Sequence, residues 1–186
     1  MVEKQKLHRI FICIDFPDEI IRETARVQGL LNNWKFTGKM TELENLHLTL
    51  KFLGEIPEEK LKEVREKLKS IEFRKIELAL GNIGSFSHRG KPRIIWAKLL
   101  GKGIYELQTK IDSALNEIGF PKEERFMGHL TIARVKYVKD ANGFKEHIDA
   151  IKLKKIKFEI ERFKLMESEL SQLGPNYTLV EEYKSK

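Results

Sequence analysis

His47-Leu48-Thr49-Leu50 and His129-Leu130-Thr131-Ile132 repeat one pattern: a histidine and a threonine separated by leucine and followed by a second aliphatic residue. Alternate side chains of a β-strand point to the same face. Read as strands, the two segments place His47 with Thr49 and His129 with Thr131 on one face each. Leu48, Leu50, Leu130 and Ile132 take the opposite faces. The aliphatic face anchors a core, and the polar face presents an imidazole and a hydroxyl side by side. The chain holds 5 His and seven Thr. Chance placement of these gives about 0.2 His-x-Thr triplets, so two by accident has odds on the order of 1–2%.

Outward from the two motifs the chain repeats itself. Strand patterns begin at Arg9, at Leu46 with the first motif, and at Phe73; the second half shows them at Arg93, His129 and Lys155. The offsets between matching starts (Arg9 to Arg93, His47 to His129, Phe73 to Lys155) are 84, 82 and 82 residues. Helices are predicted between the strands. One opens at Pro17-Asp18-Glu19 and another at Pro57-Glu58-Glu59, with proline and acids in the first turn, and the second keeps Leu61, Val64, Leu68 and Ile71 at helical spacing. A third spans 103–118, with Ile104, Leu107, Ile111, Leu115 and Ile118 on one face, and a short fourth spans Asp140 to Ile151. A long strand is expected from Lys155 to Met166, a loop over 84–92, and a turn at Gly174-Pro175-Asn176 before a last strand. A near-constant offset suggests duplication. The 186 residues then form a single domain of two similar lobes, about 8–84 and 92–168, related by a pseudo-two-fold axis. Such an axis sets His47 opposite His129.

Composition narrows the class. Hydrophobic residues are 41% and charged residues 34%, as in a globular protein. The net charge of +7 favours an anionic partner such as nucleic acid. Cys13, the one cysteine, sits in the apolar run Ile10 to Ile14 and reads as a buried structural thiol in a cytoplasmic protein. Met1 to Lys6 is polar, unlike a signal peptide, and no apolar run is long enough to span a membrane.

Two histidines suit phosphodiester chemistry because imidazole exists in both protonation states near neutrality: one can accept a proton from a nucleophile while the other donates one to a leaving oxygen. Threonine hydroxyls can donate to non-bridging phosphate oxygens. His8, His88 and His147 carry no such pattern and default to surface roles. No metal-ligand spacing, HExxH, phosphate loop or nucleophile elbow is present, so neither metal nor cofactor is expected.

These residues resemble the two-histidine (2H) phosphoesterase superfamily, and within it the RNA 2′,3′-cyclic phosphodiesterases, also called 2′-5′ RNA ligases. The likeness rests on Arg9 to Pro17, Glu44 to Glu55, Pro92 to Trp96 and His129 to Arg134, and runs from Arg9 to about Tyr183. It implies an α+β, bilobal fold with two antiparallel sheets around a central cleft and helices outside. It implies metal-independent hydrolysis of a 2′,3′-cyclic phosphate on RNA ends or nucleotides, by a monomer, with 2′-5′ ligation as the related reaction in which a ribose hydroxyl stands in place of water. By motif position His47 is then the general acid, His129 the general base, and Thr49, Thr131 and Arg134 bind phosphate. Where relatives often carry proline before the second histidine, this chain has Gly128. Arg134 has the opposite strand parity to His129 and Thr131, so it joins them only if the strand ends or bulges first.

Two other readings use the same residues: a nucleotide- or RNA-binding module without turnover, and another 2H enzyme such as an RNA 3′-end exonuclease or an ADP-ribose cyclic phosphodiesterase. Trp34, Phe86, Phe126 and Tyr137 are the candidate partners for a stacked base.

Overall fold

The computed structural model describes residues 6–34, 36–171 and 174–186. The start of the polar stretch, Met1 to Gln5, lies outside the described residues. The first half runs β1 (Leu7–Asp15), α1 (Asp18–Leu31), β2 (Phe36–Met40), a 3-10 turn (Leu43–Asn45), β3 (His47–Pro57), α2 (Glu58–Lys69) and β4 (Ile76–His88). The second runs β5 (Lys91–Leu100), α3 (Lys102–Asn116), β6 (His129–Val138), α4 (Ala141–Ala150), β7 (Lys157–Ile160), β8 (Arg162–Ser171) and β9 (Gly174–Lys184). The strands form two antiparallel sheets, ordered β3-β1-β8-β9 and β2-β6-β5-β4-β7. The fold class is the α+β arrangement of two antiparallel sheets.

Neither sheet coincides with one half of the sequence. β1, paired with β3 on one side, takes β8 from the second half on the other, while β5, paired with β6, takes β4 from the first. The third strand of each half has crossed to the other sheet. This crossing splits the stretch expected as one strand from Lys155 to Met166. β7 pairs with β4 in one sheet, the chain leaves strand geometry at Glu161, and β8 pairs with β1 in the other.

Two segments read as loop or turn are strand instead. Residues 84–92 form a hairpin in which His88 faces Lys91, and only Arg89 and Gly90 turn, at φ 51° and 73°. Positive φ at both central residues is the two-residue turn whose twist matches that of the flanking strands. Gly174, Pro175 and Asn176 open β9 and pair with Ser171, Leu170 and Glu169. Proline is tolerated there because β9 is an edge strand. β2 has no counterpart in the sequence pattern; its five residues carry only a weak alternation.

The helices bury the residues that their spacing selected. Leu61, Val64 and Leu68 of α2, and Ile104, Leu107, Ile111 and Leu115 of α3, are buried. Ile118 lies past the end of α3 and is partly buried. The Asp140 carboxylate caps α4 by accepting the Gly143 N–H at 3.0 Å. Cys13 is buried, and burial pushes its thiol up to about 12, which removes it as a nucleophile at neutral pH. His8 departs from its expected surface role: β1 begins at Leu7 and carries it inward, to 2.8 Å from Glu167 and 3.3 Å from Glu58. His147 stacks on Trp34, and its Nε2 donates to Leu30 O at 3.2 Å. Only His88 of the three is exposed. Among the described residues no helix is long and apolar enough to cross a membrane.

Candidate functional site

His47 and His129 are the first residues of β3 and β6, and these two strands approach each other across the sheets. Both imidazoles are held in the same way. The Nδ1–H of His47 donates to Asn45 O at 2.8 Å, and that of His129 donates to Met127 O at 2.8 Å. A backbone carbonyl two residues upstream thus sets both tautomers and leaves the acid–base chemistry to the Nε2 of each ring. His47 Nε2 lies 3.1 Å from the Thr49 hydroxyl. His47, Thr49, His129, Thr131 and Arg134 all line one cleft of about 500 Å³.

Arg134 reaches this cleft because β6 bulges. In the ladder with β5, Trp96 faces Thr131 and Ile95 faces Ala133, so Ile132 is the extra residue. Ile132 and Ala133 are consecutive and both buried, and the alternation resumes one step later. Arg134 therefore returns to the face of His129 and Thr131. The carbonyl of Ile132 accepts the Thr41 N–H at 2.9 Å and the buried Gln28 side-chain amide at 3.1 Å. β3 carries the same device. Cys13 faces Thr49 and Ile12 faces Lys51, so Leu50 is extra and Phe52 joins His47 and Thr49 on the cleft face. The two bulges fall 82 residues apart, the same offset as the motifs.

The sequence matches the family described as LigT like phosphoesterase over residues 14–96 and 99–177. The chain belongs to this family. It is 38% identical over 177 residues to an RNA 2′,3′-cyclic phosphodiesterase of Methanocaldococcus jannaschii, covering 94% of this chain and 99% of that one. A Thermotoga maritima protein of the same description is 32% identical over 94% of each chain. Among solved structures, TT0787 of Thermus thermophilus superposes with a TM-score of 0.82 at 27% identity, over 95% of this chain and 97% of that one. The fold is shared with E. coli LigT in its 3′-AMP complex, at a TM-score of 0.76 and 24% identity over 97% of this chain and 99% of that one.

The site of this LigT-like phosphoesterase is asymmetric in environment. Burial holds His47 below its usual range, assisted by the positive charge of Arg134 and opposed by the hydrogen bond to Asn45 O. The ring is enclosed by aromatics: Phe11 at 5.0 Å, and Tyr177 at 5.3 Å in a perpendicular contact. Burial likewise raises the Tyr177 phenol. Neither residue stood out in the sequence, because Phe11 lies in a uniformly apolar run and Tyr177 is brought in by β9. Nor did Phe52, whose ring is 51% exposed and carries the Arg9 guanidinium at 5.1 Å. Of the aromatics proposed for stacking, Trp34 packs on Phe144 and His147, Phe126 meets Tyr105, and Tyr137 is exposed on β6. Phe86 alone of the four touches a motif residue, His129, at 5.2 Å. Among the described residues no cluster of three His, Cys, Asp or Glu could hold a metal.

The lowered His47 pKa has a measurable consequence. In NMR titrations its midpoint should lie below the usual histidine value of about 6.5. Inorganic phosphate places negative charge beside the ring and should raise the midpoint. A midpoint at or above the usual value without phosphate would show that the cleft does not desolvate His47.

Proposed function

We propose that this chain hydrolyses the 2′,3′-cyclic phosphate at the end of an RNA strand to a 2′-phosphate. The observation that carries the proposal is the matched pair of imidazoles. Each is fixed through Nδ1 to a carbonyl, so each offers Nε2 to one cleft that also holds two threonine hydroxyls and a guanidinium. The family membership and the activity of the relatives support it.

His129 Nε2, neutral, takes a proton from a water molecule as that water attacks phosphorus. His47 Nε2, protonated, gives its proton to the departing 3′ oxygen. The P–O3′ bond breaks, a P–O bond to the former water forms, and the product is a 2′-phosphate beside a free 3′-hydroxyl. Thr49 and Thr131 donate to non-bridging oxygens, and Arg134 offsets the charge that concentrates there in the transition state. Binding of the anionic phosphate raises the His47 pKa and so charges the acid. With an RNA 5′-hydroxyl in place of water as the nucleophile, the same pair opens the cyclic phosphate: a P–O5′ bond forms, the P–O3′ bond breaks, the 3′ oxygen takes the proton from His47, and the product is a 2′-5′ linkage.

The test is the product formed from an oligonucleotide ending in a 2′,3′-cyclic phosphate. A 2′-phosphate should form at the same rate with and without EDTA. A 3′-phosphate product, or loss of activity on chelation, contradicts the proposal.

A further inference from the structure

Residues 82–100 and 127–139 contain seven lysines and arginines and no acidic residue. These segments hold the end of β4, the whole of β5 and the whole of β6. Their seven positive charges equal the formal net charge of the entire chain, +7, so elsewhere the two signs balance. Several basic side chains elsewhere are paired, as Lys60 is with Glu63 and Arg65 with Glu181. None of the seven forms an ion pair among the described residues.

The strand register shows where this strip lies relative to the site. Arg134, Ile94 and Phe86 stand abreast on β6, β5 and β4. Thr131, Trp96 and Gly84 form the next row, and His129 and Lys98 the one after. Directly opposed residues of an antiparallel sheet share a face. The face that presents His129, Thr131 and Arg134 therefore continues sideways, across Trp96, to Phe86. The Phe86 ring is 37% exposed, rests against Trp96 at 5.3 Å and stands perpendicular to His129 at 5.2 Å. Glycine at position 84 leaves room for the indole, since a side chain there would collide with it. Phe86 is thus an aromatic ring supported from its own sheet and open to solvent beside the cleft. Two residues further on, the strand ends in the hairpin tip His88-Arg89-Gly90-Lys91, where His88, Arg89 and Lys91 are exposed.

We propose that this strip binds the single-stranded RNA leading up to the terminal nucleotide. The penultimate base stacks on Phe86, and Arg89 and Lys91 hold phosphates further along the strand. The inference rests on the reading that the chain acts on RNA ends. Exposed aromatic rings beside unpaired cations match a single strand, which offers base faces and backbone charge together. A duplex keeps its bases stacked on one another and has no face for Phe86.

The experiment uses the full chain with two probes: a 2′,3′-cyclic mononucleotide, and a ten-nucleotide RNA of the same terminal base, bearing either a cyclic phosphate or a plain 3′-hydroxyl. In the Arg89→Gln/Lys91→Gln variant, mononucleotide turnover should be unchanged. Binding of the 3′-hydroxyl oligonucleotide, read by fluorescence anisotropy, should weaken. Its log–log salt slope should flatten by about 1.4, the value for two lost phosphate contacts on a single strand. Phe86→Ala should lower the ratio of oligonucleotide to mononucleotide kcat/KM about tenfold, and Phe86→Trp should retain it, as expected for a stacked base. Wild-type binding and slope in the double glutamine variant would overturn the proposal, as would equal or tighter binding of the oligonucleotide as a blunt duplex. Salt-sensitive binding that depends on Arg89 and Lys91, without any cyclic-phosphate turnover, would leave the track standing and refute the hydrolytic reading instead.

Discussion

Replacing His129 with alanine should lower the turnover of a 2′,3′-cyclic nucleotide by about 10²–10⁴-fold, the share that a positioned general acid or base contributes. The effect should fall on chemistry rather than folding. His129 is partly exposed at the start of β6, and its imidazole donates to the Met127 carbonyl in the preceding loop. His47→Ala should cost a similar factor, and the double variant little more than either alone, because the two act in one step. The pH dependence separates the roles. A base must be neutral, so loss of His129 removes the fall in rate on the acidic side of the wild-type bell. An acid must be protonated, so loss of His47 removes the fall on the alkaline side. A substrate whose leaving group is a weak base needs no proton, and it should restore turnover to His47→Ala but not to His129→Ala. Full activity in either single variant contradicts the acid–base pair, and rescue of the opposite variant reverses the assignment.

The second large effect concerns stability. Asp112→Ala should destabilise the fold by about 3–5 kcal/mol, the cost of leaving a buried charge without its partner. For a domain of this size that lowers Tm by roughly 10 °C. Lys51 is 5% exposed and Asp112 7%. The Lys51 ammonium bonds the Asp112 carboxylate and donates to Pro121 O at 2.7 Å. Asp112 in turn accepts the Glu123 N–H at 3.1 Å. The pair therefore ties β3 to α3 and to the loop that leads toward the second motif. The bulge that turns Phe52 to the cleft also turns Lys51 inward, which makes a buried cation part of the local geometry of the first motif. Removing both charges with Lys51→Met/Asp112→Leu should recover most of the lost stability, since well-packed apolar residues replace buried ion pairs at little cost. Thermal unfolding of the three variants reads this directly. A loss under about 1 kcal/mol in Asp112→Ala, or a double variant as unstable as the single, contradicts it.

The recurrence of two His-x-Thr patterns in apolar surroundings singled out four residues that the fold brings to one cleft, because strand alternation is local and needs only the neighbours in sequence. Helical spacing selected the buried faces of α2 and α3 for the same reason. Arg134 was legible only conditionally. Whether it faces the cleft depends on an extra residue at Ile132, and that bulge is held by Gln28 from α1 and Thr41 from the segment before β3, both distant in sequence. The strand break at Glu161 was invisible locally, since β7 and β8 are each good strands and what separates them is the choice of partner sheet. The hairpin at Arg89-Gly90 was hidden by glycine and serine that read as loop; Gly84 is in fact a strand residue made small by the Trp96 ring against it. Phe11, Phe52 and Tyr177 became cleft residues only when β1, β3 and β9 assembled. Residue types and their periods determined which groups could do the chemistry. Bulges, sheet crossing and burial decided which of them meet, and set the His47 proton affinity, because these depend on contacts between segments far apart in the chain.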